Sequence, residues 1–232
     1  MHKLLRFQIF KNGWYGLFTL ALWLVAGTGQ AAQTLDVYAI PSKPIVQLVS
    51  DTSKQLATYG MQSFYQQGRP VHITLYLTAF PDASDAAIKQ AVQQLSQQYQ
   101  PIPLIAKGFT VTKGNWAFID VEHSRELQRL ADKVTLALEP LRDPHPVLPE
   151  WVKAYPGKLA AFERYGSPNV FQNFEPHLTL LAAEKNPQLV KFQQLMQQQI
   201  PRANGEIIGL GIGVTDEWGQ QRQVLAEYFF KP

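Results

Sequence analysis

A chain of 232 residues with 46% hydrophobic and 12% aromatic content has enough apolar side chain to bury a sizeable core. It contains no cysteine, which excludes disulfide staples, a thiol nucleophile and thiolate metal sites. Its formal charge of +3 comes from Lys3, Arg6 and Lys11 near the start, and without them 18 basic and 18 acidic residues balance, so strong counterion-release binding to a long nucleic acid is not expected.

Those three cations open a leader. Trp14 to Ala26 is uncharged and mostly apolar, and small residues follow at Gly29 and Ala31, the layout of a signal peptide cleaved after Ala31. Residues 13–32 also form a charge-free run of spanning length, so an uncleaved N-terminal anchor stays open as the second reading. Both place residues 32–232 outside the cytoplasm, in the periplasm if the leader is removed, with membrane contact only if it is kept.

Beyond the leader the elements alternate. Residues 35–40 read as a first strand, 44–67 as a helix and 71–77, "VHITLYL", as a second strand. Residues 82–99 and 124–141 have helical apolar spacing, and between them lies a β-rich stretch with a hairpin turn at 113–115. Three prolines make 142–149 a connector. A helix near 150–165, the strand "PHLTLLA" at 176–182, a Gln-rich helix at 187–200 and a final hairpin turning at 216–219 complete the chain. Each His-x-Thr strand is thus followed by a helix and then a hairpin. That order predicts one domain over 32–232 built as two related lobes joined near 142–149.

On a strand, side chains two apart share a face, so His72 lies beside Thr74 with Tyr76 next in line, and His177 beside Thr179. If a pseudo-twofold axis relates the lobes, the two pairs face one another across a cleft. Two imidazoles that titrate near neutrality and two hydroxyls suit phosphoryl transfer without metal: one neutral histidine removes a proton, the other delivers one, and the threonines bind phosphate oxygens. Tyr38 can stack on a base from the cleft rim or lie in the core. Arg69 and Lys107 can meet phosphate or stand solvated. His123 and His145 have no partner pattern, no acidic cluster suggests a metal, and "GLGIG" at 209–213 lacks the lysine and helix of a phosphate loop.

The tetrads His72-Ile-Thr-Leu and His177-Leu-Thr-Leu resemble the signature of the two-histidine (2H) phosphoesterase superfamily, which includes the bacterial 2'-5' RNA ligase and cyclic phosphodiesterase group. "NFEPHLTLL" at 173–181 is especially similar to that group's second motif. The resemblance implies an α+β fold of two pseudo-symmetric lobes, each an antiparallel sheet with flanking helices, around a central cleft. It also implies catalytic roles for His72, Thr74, His177 and Thr179 and no cofactor, while Tyr38, Arg69 and Tyr76 are candidate substrate contacts by their own positions in the chain. The implied substrate is a 2',3'-cyclic phosphate or 2'-5' phosphodiester of a nucleotide or RNA end, with no obligate protein partner. The alternative is a non-catalytic module that holds a phosphorylated or cyclic ligand in the same cleft. Two features depart from that group: the separation of 105 positions from His72 to His177, a long spacing, and the export leader.

Overall fold

The structure, a computed structural model, describes residues 32–231. The leader and its expected cleavage or anchoring lie outside the described residues. Among those described, no helix is long and apolar enough to cross a membrane.

Strand β1 (Ala32–Pro41) leads into α1 (Lys43–Thr58), which stops well short of residue 67. It ends because Gly60 turns left-handed (φ 75°) while the N–H groups of Tyr59 and Gly60 close on the carbonyls of Leu56 and Ala57. The freed segment runs irregularly to β2 (Ile73–Pro81) and supplies Phe64 and Arg69 to the walls of the site. Helix α2 (Asp85–Ser96) precedes the hairpin β3 (Ile102–Val111) and β4 (Ala117–Val121), whose turn is closed by Thr112 and Trp116 with Asn115 left-handed. Ser124 caps α3 (Arg125–Leu138) by accepting from the Leu127 N–H at 3.1 Å. The proline-rich connector is irregular, and α4 (Pro156–Tyr165), β5 (His177–Leu181), α5 (Leu189–Gln198), β6 (Arg202–Thr215) and β7 (Gln221–Phe229) follow.

Hydrogen bonds join all seven strands, and β6 is the reason. Its first half pairs with β3 at 202–207, and its second half pairs with β1 at 207–214 and β7 at 209–215. Two antiparallel four-stranded arrays result, β2-β1-β6-β7 and β6-β3-β4-β5. Helices α2 and α3 pack on the first, α1 and α5 on the second. The repeated element order therefore holds, but the hairpins trade places. The β3–β4 hairpin, which follows the first motif, pairs with the strand of the second; the β6–β7 hairpin, which follows the second motif, pairs with β1 beside the first.

Both motif strands carry a β-bulge at the same point. Thr74 pairs with Tyr38 and Tyr76 with Val37, leaving Leu75 unpaired; Thr179 pairs with Phe118 and Leu181 with Ala117, leaving Leu180 unpaired. The fourth residue of each tetrad is thus the bulge residue. Both leucines are buried, and about 1.5–3 kcal/mol of burial apiece pins the irregularity in place.

Candidate active site

The bulge decides what faces the cleft. Residues paired directly across an antiparallel ladder point to one side, so Thr74 shares a face with Tyr38 and Asp36, whereas Tyr76 shares the opposite face with Val37. The straight alternation that put Tyr76 in line with Thr74 is corrected by that one extra residue. Tyr76 is fully buried, donates its hydroxyl to the Tyr165 carbonyl at 2.6 Å and packs edge-on against Phe80, so it is a core residue. Leu77 moves the other way and lies beside the 216–219 turn, against Gly219.

The two histidines are held alike. Each Nδ1 meets the carbonyl oxygen two residues earlier, His72 with Pro70 at 3.0 Å and His177 with Glu175 at 2.7 Å. A carbonyl only accepts, so in the neutral rings Nδ1 carries the hydrogen and Nε2 keeps the lone pair. Each ring also rests on an aromatic neighbour from the adjacent strand: Tyr38 lies edge-on to His72 at 5.5 Å, and Phe118 is tilted against His177 at 4.1 Å. Tyr38 and Phe118 occupy equivalent register positions, each opposite the threonine of its motif.

His72 and Thr179 line one small cavity of about 10 Å³, together with Arg69, Leu178 and Gln220. Burial pushes His72 down to about 4, opposed by its bond to Pro70, while the charge of His177 lowers it further and that of Asp216 raises it. His177 is also lowered, chiefly by burial. Thr179 is half-buried, and its hydroxyl makes no hydrogen bond among the described residues. The structure therefore brings His72, Thr74, His177 and Thr179 to one region.

Of the other expected contacts, Tyr38 is enclosed and gives its hydroxyl to Glu227 at 3.3 Å, so it buttresses His72 and does not reach a rim. Burial and the Glu227 carboxylate hold that phenol well above its usual range. Arg69 does border the site, yet its guanidinium is engaged by the Gln221 carbonyl at 3.0 Å and by Asp216 at 3.3 Å. Lys107 stands exposed beside Glu122. A larger cavity of about 450 Å³ shares Arg69 and Phe64 with the small one and adds Gln62, Trp218 and Arg222.

Asp36, Phe118, Trp116 and Trp218 were not marked out from the sequence. Asp36, on β1, accepts from the Thr74 hydroxyl at 2.9 Å and the Gln221 amide at 2.7 Å, and its Oδ2 stands 3.6 Å from His72 Nε2. Phe118 supports His177 and begins an aromatic line that continues through Trp116 at 6.2 Å to Trp218 at 5.8 Å, joining the two hairpin turns. The signal for Asp36 was present: an acid two residues before Tyr38 in an apolar strand follows the same face rule that singled out the histidines.

The "GLGIG" run lies in β6, as its apolar alternation implies, and its glycines have a packing role. A Cβ at Gly211 would fall on the Tyr38 ring, and one at Gly213 on the Gln221 amide. Gly211→Ala is expected to lower stability by about 1–3 kcal/mol through overpacking. Urea unfolding reads this, and an unchanged midpoint would show that Tyr38 is not wedged where the structure places it.

Two antiparallel arrays with flanking helices, each contributing a histidine and a threonine from a bulged strand, define a two-histidine protein of the phosphoesterase and ligase class. The sequence profile of the 2'-5' RNA ligase superfamily matches residues 41–217, and the chain belongs to that family. No curated protein matches it at the level of sequence. Among solved structures, TT0787 of Thermus thermophilus is similar in fold, with a TM-score of 0.56 at 16% identity over 85% of this chain and 97% of that one. E. coli LigT complexed with NADP+ matches with a TM-score of 0.47 at 12% identity, over 86% of this chain and 99% of that one.

Proposed function

We propose that the protein is a metal-independent phosphoesterase acting on a 2',3'-cyclic phosphate or 2'-5' phosphodiester of a nucleotide or RNA end. The matched anchoring of His72 and His177, each with Nδ1 tied to the carbonyl two residues back and Nε2 free of it, carries the reading. In hydrolysis one Nε2 takes a proton from water as its oxygen bonds to phosphorus. The opposite phosphorus–oxygen bond breaks, and the second histidine, protonated, gives its proton to the departing ribose oxygen. The Thr179 hydroxyl donates to a non-bridging oxygen.

Burial disfavours the protonated ring that this scheme needs, and the substrate restores it. A phosphodiester anion about 4 Å from an imidazolium at an effective dielectric near 20 contributes roughly 4 kcal/mol, or about three pH units. That is enough to offset a fall as large as burial imposes on His72, from its ordinary 6.5 to about 4, at whichever ring serves as the acid. The acid therefore forms with substrate bound. The 450 Å³ cavity, which shares Arg69 and Phe64 with the small one that His72 lines, offers Arg222, Trp218 and Gln62 to the rest of a nucleotide. The leader puts this chemistry outside the cytoplasm, where a reaction needing no nucleoside triphosphate is favoured.

The test is turnover of 2',3'-cyclic nucleotides by the purified protein in EDTA, abolished by His72→Ala and by His177→Ala. A second reading, a module that binds a phosphorylated or cyclic ligand without turnover, draws on the enclosure of His72, which is 7% exposed. Tight binding of a nucleotide 2'-phosphate with no turnover across a panel of phosphodiesters would favour it.

A further inference from the structure

Asp36 is the feature of the site that two histidines and two threonines leave without a purpose. Its carboxyl is fully enclosed, and among the described residues no lysine or arginine pairs with it. Oδ2 receives Thr74 and Gln221 and faces His72, while Oδ1 has no partner. An ionised carboxylate in that setting carries several kcal/mol of desolvation, of which two neutral donors offset only part. A proton on the carboxyl removes the cost. Strand β6 is shaped around this arrangement, since Gly211 and Gly213 make the room into which Tyr38 and Gln221 close beside the acid.

The second motif has its acid in a different place: Asp120 lies directly across the ladder from His177 and accepts from Thr110 at 3.0 Å, not from Thr179. Counted along the neighbouring strand from the ring that packs on each histidine, Asp36 and Trp116 occupy equivalent places. Thr74 is held by an acid and Thr179 is not, so the two halves of the site differ in their protons.

We propose that Asp36 is a positioning residue that works as a neutral acid, keeping one proton beside the first motif so that His72 stays uncharged as the base and the acid role falls to His177. This rests on the two-histidine reading above and assigns its roles. In the hydrolytic direction His72 Nε2 takes the water proton, His177 protonates the departing oxygen, and Asp36 keeps its proton throughout.

The charges around Asp36 agree. From β2 come His72 and Thr74; from its own strand comes Tyr38, whose hydroxyl is tied to Glu227 of β7; from β7 comes Gln221; from the β6–β7 turn comes Asp216, which occupies Arg69; and His177 stands on the far motif. Two of these are further anions, and the nearby guanidinium is already paired. Burial pushes Asp36 up to about 8, with Thr74 and Gln221 opposing. Ionised, it would set a negative charge 3.6 Å from His72 Nε2, draw a proton onto the base and repel an anionic phosphate.

The test compares the full-length protein with Asp36→Asn, which keeps the shape and an acceptor for Thr74 but cannot ionise. Deprotonation of His177 lowers kcat/KM for a 2',3'-cyclic nucleotide in both proteins as pH rises from 7 to 9, and the ratio of wild type to variant is expected to fall about tenfold over that range as Asp36 ionises. By ¹⁵N NMR, wild-type His72 is expected to be neutral at pH 6 with its proton on Nδ1. The assignment is overturned if the ratio of wild type to Asp36→Asn is unchanged between pH 7 and 9, or if wild-type His72 is an imidazolium at pH 6 that the substitution deprotonates, the mark of a carboxylate–imidazolium pair. Absence of turnover at every pH would end the two-histidine activity, and the wild-type titration would still decide the state of Asp36.

Discussion

His177→Ala is expected to lower kcat/KM by about 10³-fold, with no comparable loss of stability. General acid–base groups contribute roughly 10²–10⁴-fold, and His177 is half-buried, so its removal opens no deep cavity. His72→Ala is expected to cost as much activity, but it also empties an enclosed position and should lower stability by about 1–3 kcal/mol, so turnover has to be compared on folded protein. If the two rings act in one proton-transfer sequence, removing the second after the first costs little more, because the step that needs both is already lost. Two single losses of about 10³-fold that multiply in the double variant would instead describe two independent sites. A His177→Ala protein that keeps about a tenth of wild-type kcat/KM would sink the acid role altogether.

The chemistry of this site was legible wherever it depended on period two. His72 with Thr74 and His177 with Thr179 follow from strand alternation alone, and the element order around them gave the α+β class before any coordinates. What was not legible depended on register. Leucine is an ordinary strand residue, so nothing in the letters marks Leu75 and Leu180 as bulges, and Tyr76 was assigned to the wrong face for that reason. Element order likewise carries no pairing partners, so the exchange of hairpins between lobes through β6 could not be seen. Asp36 is a different case. It satisfied the rule used for the histidines, but a single acid in a strand has no repeat elsewhere in the chain to raise it above the background.

A last expectation follows from the proton balance of the buried pair. Asp36 is raised from 3.8 to about 8, so the folded state holds its proton more tightly than the unfolded chain, and that contribution, complete below about pH 4, is lost as pH rises toward 8. His72 is lowered from 6.5 to about 4, so its contribution is present above pH 6.5 and lost as pH falls toward 4. Between about pH 4 and 6.5 the two slopes oppose one another, and the depressed His177 adds to that of His72. Well above pH 6.5 the histidines become neutral in both states, and Asp36, with Asp120 raised in the same direction, sets the slope, which for Asp36 is at most about 1.4 kcal/mol per pH unit. Stability should therefore peak near about pH 6.5 and fall by roughly 1 kcal/mol by pH 8. Asp36→Asn should remove the Asp36 share of this alkaline fall and leave the acid side in place. Urea midpoints measured every half unit from pH 5 to 9 would show it, and a wild-type curve flat from 6.5 to 8 would mean that Asp36 is ionised in the folded protein and that its proton resides on His72.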